Sequence, residues 1–168
     1  MIEKVLKMKA SNLLEELKEN MRNFDTSQIQ ENLKKEDINP ISKQLSLFNL
    51  KNHEEILSKD IEMEDDFDIE DDEVNEMKNE IELFFEGCSP ESDEKFRKFI
   101  ESICIYLSLI AKRPMHPIGM DFREGKTVFA EEKDGETIYY CDIKQHQAEI
   151  AKDYYTCKYC VCIPSELK

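Results

Sequence analysis

The residues best suited to chemistry sit in the last third of the chain. Cys157 and Cys160 form a Cys-x-x-Cys pair, and Cys162 follows two residues later. Two intervening residues let one turn of backbone offer both sulfurs to the same ion, and tetrahedral zinc holds thiolates at ~2.3 Å. Cys141, upstream of the pair, is the natural third ligand. His116, His146 and Cys162 are the candidates for the fourth place. His116 is preferred because Pro114 and Pro117 stiffen the loop that carries it, so less entropy is lost on binding. The expected site is therefore His116, Cys141, Cys157 and Cys160 around Zn(2+), with Cys162 as the alternative fourth ligand. A site whose four positions are all filled by protein is structural rather than catalytic.

Three other readings of the same cysteines stand beside it. Cys141, Cys157, Cys160 and Cys162 are enough for an iron–sulfur cluster, whose ligands are normally thiolates. Cys157 and Cys160 are spaced as a redox dithiol, although no thioredoxin-like strand–helix order surrounds them. Or the thiols are simply reduced side chains in a small aromatic-rich subdomain. Cys104 falls within an apolar run and reads as a small buried hydrophobe. Cys88, His53 and His146 read as incidental.

These residues must be positioned by a region poor in large aliphatic side chains. A hairpin is expected from Thr127 to Lys133 and Glu136 to Cys141, joined by Asp134-Gly135, a strong two-residue turn signal. That register sets Ala130 opposite Tyr139 and Val128 opposite Cys141, placing Cys141 at the strand's far end. A link from Lys144 to Asp153 reads as helical. One hairpin makes a weak core, whereas a structural zinc contributes on the order of 10 kcal/mol in small folds.

The rest of the chain reads as helices. Leu6, Leu13, Leu14, Leu17, Met21 and Phe24 keep to one side of a first helix. Ser27 and Gln30 suggest a capping box for a short second one. Asn39-Pro40 opens a third, as cap and first helical residue. A fourth spans about Asp72 to Glu86, stopped by Gly87. Ser89-Pro90-Glu91 opens the fifth, and its later part, Phe99 to Ile110, is apolar nearly all round. The expected fold is mainly α (α+β): a helical bundle around a buried central helix, with a small C-terminal β-hairpin and cysteine knuckle. The divisions are N-terminal helices at 1–58, an acidic loop or frayed helix end at 59–73, core helices at 74–111, and the hairpin and cysteine-rich part at 112–168. Together they form one globular domain.

Charge narrows the partners. The formal net charge is −15, and residues 51–92 carry 17 acidic against 3 basic side chains, so the imbalance is local. Such a patch repels phosphate backbones, so no nucleic-acid partner is expected. Residues 60–73, 10 of them acidic, would suit a basic protein partner, with the interspersed apolar residues as anchors. An EF-hand is a poor fit there, because Asp71 stands where the loop glycine belongs and Met77 where the closing glutamate belongs. No apolar run approaches the ~20 residues of a membrane span, so no membrane partner is expected. The first residues lack a signal-peptide layout, and cytoplasmic localisation with reduced thiols is the expectation. With four glycines and no phosphate loop, nucleotide-binding motifs are excluded.

The run Ile105-Tyr-Leu-Ser-Leu-Ile-Ala-Lys-Arg-Pro-Met-His-Pro-Ile-Gly119, followed by Tyr139-Tyr140-Cys141 and Cys157-Lys-Tyr-Cys160, resembles uncharacterised protein family 0305 (domain of unknown function 2115) of methanogenic archaea. The resemblance covers about residues 95–162 and carries over His116, Cys141, Cys157 and Cys160 as positions of interest. It implies no activity, and methanogen origin would raise the iron–sulfur reading somewhat, with zinc still the leading one. This chain departs from the pattern at Asp142, where a proline is expected, and around Phe122-Arg123-Glu124-Gly125. The leading functional expectation is a non-enzymatic cytosolic interaction or accessory protein with a structural metal site. The rival is a thiol-redox or metal-dependent enzyme using the same cysteines.

Overall fold

The amphipathic pattern of the first helix is what starts the core. In the computed structural model, which describes residues 4–123, 126–144 and 156–167, helix α1 (Ala10–Arg22) buries Leu13, Leu14, Leu17 and Met21. The helix begins later than its apolar pattern suggests. Lys7–Lys9 instead form strand β1, which pairs antiparallel with β2 (Asp68–Glu70), Met8 facing Ile69. Leu6 is left exposed as a result. The distant acidic segment supplies the start signal: the Asp66 carboxylate accepts from the Ser11 backbone N–H at 3.0 Å and from its hydroxyl, and Ala10 N–H donates to the Phe67 carbonyl. A side-chain acceptor on the first free N–H groups does the work of an N-cap, here from far along the sequence. The acidic run thus contains a 3-10 turn (Met63–Asp65), strand β2 and the first residues of α4.

Helix α2 (Ser27–Leu33) and the long α3 (Pro40–Ser58) follow. Asn39 caps α3 through Ile41 N–H at 2.9 Å, as its Asn-Pro start predicts. Helix α4 (Asp71–Cys88) carries three acidic residues in its first turn, where the helix dipole favours them, and buries Val74, Met77, Ile81 and Phe85. Helix α5 (Glu94–Ile105) starts after the expected Ser89-Pro90. Arg97 gathers that corner instead, donating to the Ser89 and Pro90 carbonyls and to Glu82 and Glu86.

Helix α5 is the central element. It packs against α1, α3 and α4, with Phe99, Ile103 and Ile105 buried. The chain then widens into a π-helical segment (Tyr106–Ala111), whose Tyr106, Leu107 and Leu109 are also buried. Single π turns recur at functional sites. Lys112 closes it at φ 56°, a left-handed conformation unusual for lysine, and this turns the chain out before Pro114.

The C-terminal sheet has the order β3 (Asp121–Arg123), β4 (Lys126–Lys133), β5 (Glu136–Cys141), β6 (Ile163–Pro164). The β4–β5 register is the expected one: Ala130 faces Tyr139 and Val128 faces Cys141. Asp134 and Gly135 both take positive φ, as a tight hairpin turn of this type requires. Strand β6 adds parallel to β5, with Tyr140 beside Ile163 and Cys141 beside Pro164. The fold is mainly α with a small C-terminal sheet. Among the described residues, no helix is long and apolar enough to cross a membrane.

Candidate metal centre

Helices α3, α4 and α5, the proline loop, the hairpin and the C-terminal turn all line one cavity of about 260 Å³. Strand β5 delivers Cys141 at its last residue. A 3-10 turn (Thr156–Tyr159) carries Cys157 and leads to Cys160, whose N–H donates to the Cys157 carbonyl at 3.1 Å. Cys162 is the residue before β6, whose pairing with β5 sets Ile163 beside Tyr140 and Pro164 beside Cys141, and it lines the same cavity. The proline loop after the π-helical segment brings Met115 and His116. Cys104 of α5 faces the same cavity, beside Ile100 and Ile103. His146 and most of the expected helical link lie outside the described residues.

Each segment is tied down by contacts the sequence does not advertise. The Lys144 ammonium donates to the carbonyls of Cys160 and Cys162, at 2.7 and 2.8 Å, and so clamps the Cys-x-Cys turn. Asp142 closes the hairpin: its carboxylate accepts from Thr127 N–H at 2.8 Å and its own N–H donates to the Thr127 carbonyl. The 3-10 turn docks on α4, where Lys158 pairs with Glu80 at 2.7 Å and Tyr159 packs on the helical core.

The proline loop is latched from behind. Glu55 of α3 accepts from the Tyr106 hydroxyl at 2.6 Å and pairs with Arg113. Burial, followed by the Glu55 carboxylate, pushes the Tyr106 phenol well above its ordinary range. Arg113 precedes Pro114, so this latch fixes where the chain leaves the helix. Replacing Arg113 by alanine is expected to cost about 1–2 kcal/mol, the range for a hydrogen bond to a charged group, lowered because both side chains are about a third exposed. Thermal unfolding measures the loss. Proton exchange at Met115 and Gly119 should rise more than at α1, and equal protection at those amides would show that the latch does not hold the loop.

Backbone N–H groups are aimed at the sulfurs. The Cys141 sulfur accepts from Ile143 and Lys144 N–H groups. The Cys160 sulfur accepts from Cys162 N–H and from Met115 N–H, the latter at 3.5 Å. Donors directed at sulfur favour the thiolate over the thiol. At Cys160 they act with the Cys162 S–H, which donates to it most strongly of all, and together these hold its thiol well below the usual range despite burial. Burial raises the Cys104 thiol to about 12 and the Cys157 thiol to about 11, and the neighbouring Cys160 sulfur adds to both. Cys141 is raised by burial and, in part, by the same Cys160 charge. Cys162, which gives its proton to the shared bond with Cys160, is raised. The Cys160 sulfur thus lies within electrostatic reach of four other thiols. His116 is half-buried on the cavity wall, and burial lowers its imidazole.

This donor set fits a soft or borderline divalent ion. The sulfurs share one cavity, two of them already receive the N–H bonds that a bound thiolate needs, and a cationic side chain stands next to the turn. Among the described residues, no three His, Cys, Asp or Glu side chains are already grouped at ion-holding separation, so binding would have to turn thiol rotamers inward. Cys104 packs against the helical core, as its apolar flanks predict, and also lines the cavity wall, which those flanks do not disclose. Sequence reasoning missed Arg113 and Glu55, since their pairing joins α3 to the end of the π-helical segment.

Comparison with known proteins agrees with the sequence resemblance and extends it over nearly the whole chain. Residues 2–165 match the model of an uncharacterised protein family conserved in archaea, DUF2115. The UPF0305 protein MJ0646 of Methanocaldococcus jannaschii is 30% identical over 165 residues, 92% of this chain and 96% of that protein. The UPF0305 protein MMP0665 of Methanococcus maripaludis is 33% identical over 108 residues, 64% of this chain and 61% of that protein. No solved structure matches. The chain belongs to the archaeal DUF2115 (UPF0305) family of uncharacterised proteins.

Proposed function

We propose that the C-terminal part of this chain is a structural metal site, and that the protein serves as an interaction or accessory protein built around it. Cys141, Cys157 and Cys160 would hold one zinc ion, with His116 or Cys162 as the fourth donor. The observation that carries this reading is the set of backbone N–H groups directed at the Cys141 and Cys160 sulfurs from three segments that meet at one cavity. When bound, zinc would cross-link the proline loop, the hairpin end and the C-terminal turn, a region that buries few aliphatic side chains. The chain's own groups do the rest: N–H donors stabilise the thiolates, Lys144 offsets their charge, and Asp142 holds the strand ends together. The interaction role takes its surface from residues 60–73, where Met63 is 91% exposed among carboxylates, chemistry suited to a basic partner.

A second reading has its own support. Cys162 donates to Cys160 directly, so the two can be read as a dithiol: the Cys160 thiolate would attack a partner disulfide, displacing one of its thiols, and Cys162 would then attack the mixed disulfide, leaving Cys160–Cys162 oxidised and the partner reduced to two thiols. Elemental analysis and intact mass of anaerobically purified protein separate the readings. The expected result is zinc near one equivalent with all thiols reduced. Iron with sulfide would replace zinc by a cluster on the same cysteines. A folded, metal-free chain lighter by two hydrogens would overturn the metal site in favour of the dithiol.

A further inference from the structure

We infer that Cys104, on the central helix, is a ligand of this site, making it an all-sulfur set of Cys104, Cys141, Cys157 and Cys160. The inference rests on the metal-site reading and goes beyond it by assigning the fourth place to a residue of the helical core.

The position of Cys104 supports this. It faces the same cavity as Cys141, Cys157 and Cys160, and the charge of the Cys160 sulfur reaches it as it reaches the other two. Its helical neighbours on that wall, Ile100 and Ile103, are apolar, so the sulfur is the donor that α5 contributes. A helix packed on three others presents a ligand with little freedom left to lose, whereas His116 rides on a loop. Four thiolates and a divalent ion carry two negative charges, and Lys144 stands against the Cys160–Cys162 turn to offset them. Cys162 keeps a different role: with its N–H and S–H it donates to Cys160 from outside the ligand set, as second-layer groups around metal thiolates do. With a ligand on α5, the ion would join the C-terminal sheet to the bundle as well as close the sheet.

The test uses the full chain, purified anaerobically, with Zn(2+) and Co(2+) as probes. The variants are Cys104→Val, which keeps the packing, Cys104→Ser, Cys162→Val and His116→Ala. Wild type should take up one equivalent of cobalt with sulfur-to-metal charge-transfer absorption. Cys104→Val should keep its helical circular dichroism, bind zinc about 100-fold more weakly in chelator competition, and lose about a quarter of that absorption, one thiolate of four. Cys104→Ser should behave alike, so a folding defect in one variant leaves the other to decide. His116→Ala should keep both affinity and absorption. If both Cys104 variants bind as wild type does, Cys104 is a packing residue and the inference is overturned. The same holds if His116→Ala or Cys162→Val loses a quarter of the charge-transfer absorption while both Cys104 variants keep it; a lower affinity alone in Cys162→Val is the expected result of removing a second-layer donor. A wild-type chain that binds neither ion overturns the metal site itself, a result distinct from failure at Cys104.

Discussion

Replacing Cys160 by serine should abolish the proposed metal binding while leaving the helices standing. Cys160 is the sulfur on which the others converge: its charge reaches Cys104, Cys141, Cys157 and Cys162, and N–H groups from Met115 and Cys162 point at it. Serine keeps the volume but offers no thiolate at neutral pH, so zinc affinity should fall at least about 100-fold. Structural zinc contributes about 10–16 kcal/mol in small zinc folds, more than one hairpin supplies, so the loss should fall on the hairpin and the C-terminal turn. Amide exchange reads this directly. Protection should fall in β4, β5 and the Cys157–Cys162 turn and remain in α1 and α5. Zinc retained at wild-type affinity in Cys160→Ser would sink the proposal. Acid should act in the same direction as the substitution. The ligands bind only when deprotonated, and burial raises the Cys157 and Cys104 thiols to about 11 and 12, so binding must release their protons and weaken as pH falls.

Phe99→Ala should have the opposite distribution, a global loss with the metal site spared until the whole chain unfolds. Phe99 is fully buried, and its ring stacks on Phe24 at 4.1 Å between centroids, with the Phe96 and His53 rings tilted beside it. Truncating a buried phenylalanine costs about 3–5 kcal/mol, because transfer energy is lost and a cavity remains. Set against a total of about 5–15 kcal/mol for an ordinary domain, that is a large share. Urea unfolding followed by far-ultraviolet circular dichroism should show the midpoint falling with little change in slope. A loss under about 1 kcal/mol would mean that the bundle does not centre on this ring. The pair of variants separates the two halves of the design: one would remove the proposed metal cross-link near the C-terminus, the other the packing on which α5 depends.

Much of the fold was legible in the chain itself. Apolar spacing marked α1 from Leu13 to Met21, Asn39-Pro40 marked the start of α3, and Asp134-Gly135 fixed the hairpin register, because each rests on interactions within a few residues. What sequence could not disclose depends on partners far apart in the chain. Asp66 starts α1 from beyond α3, so the first helix begins three residues after its β1 prelude opens, at Ala10. Glu55 holds Tyr106 and Arg113 across the core. Cys104 reads as an ordinary apolar position until the fold turns that face of α5 toward the other thiols. Local backbone and side-chain preferences settle the elements from sequence. Which donors share a cavity is settled by packing, since that requires segments tens of residues apart to meet, and no local pattern encodes the meeting.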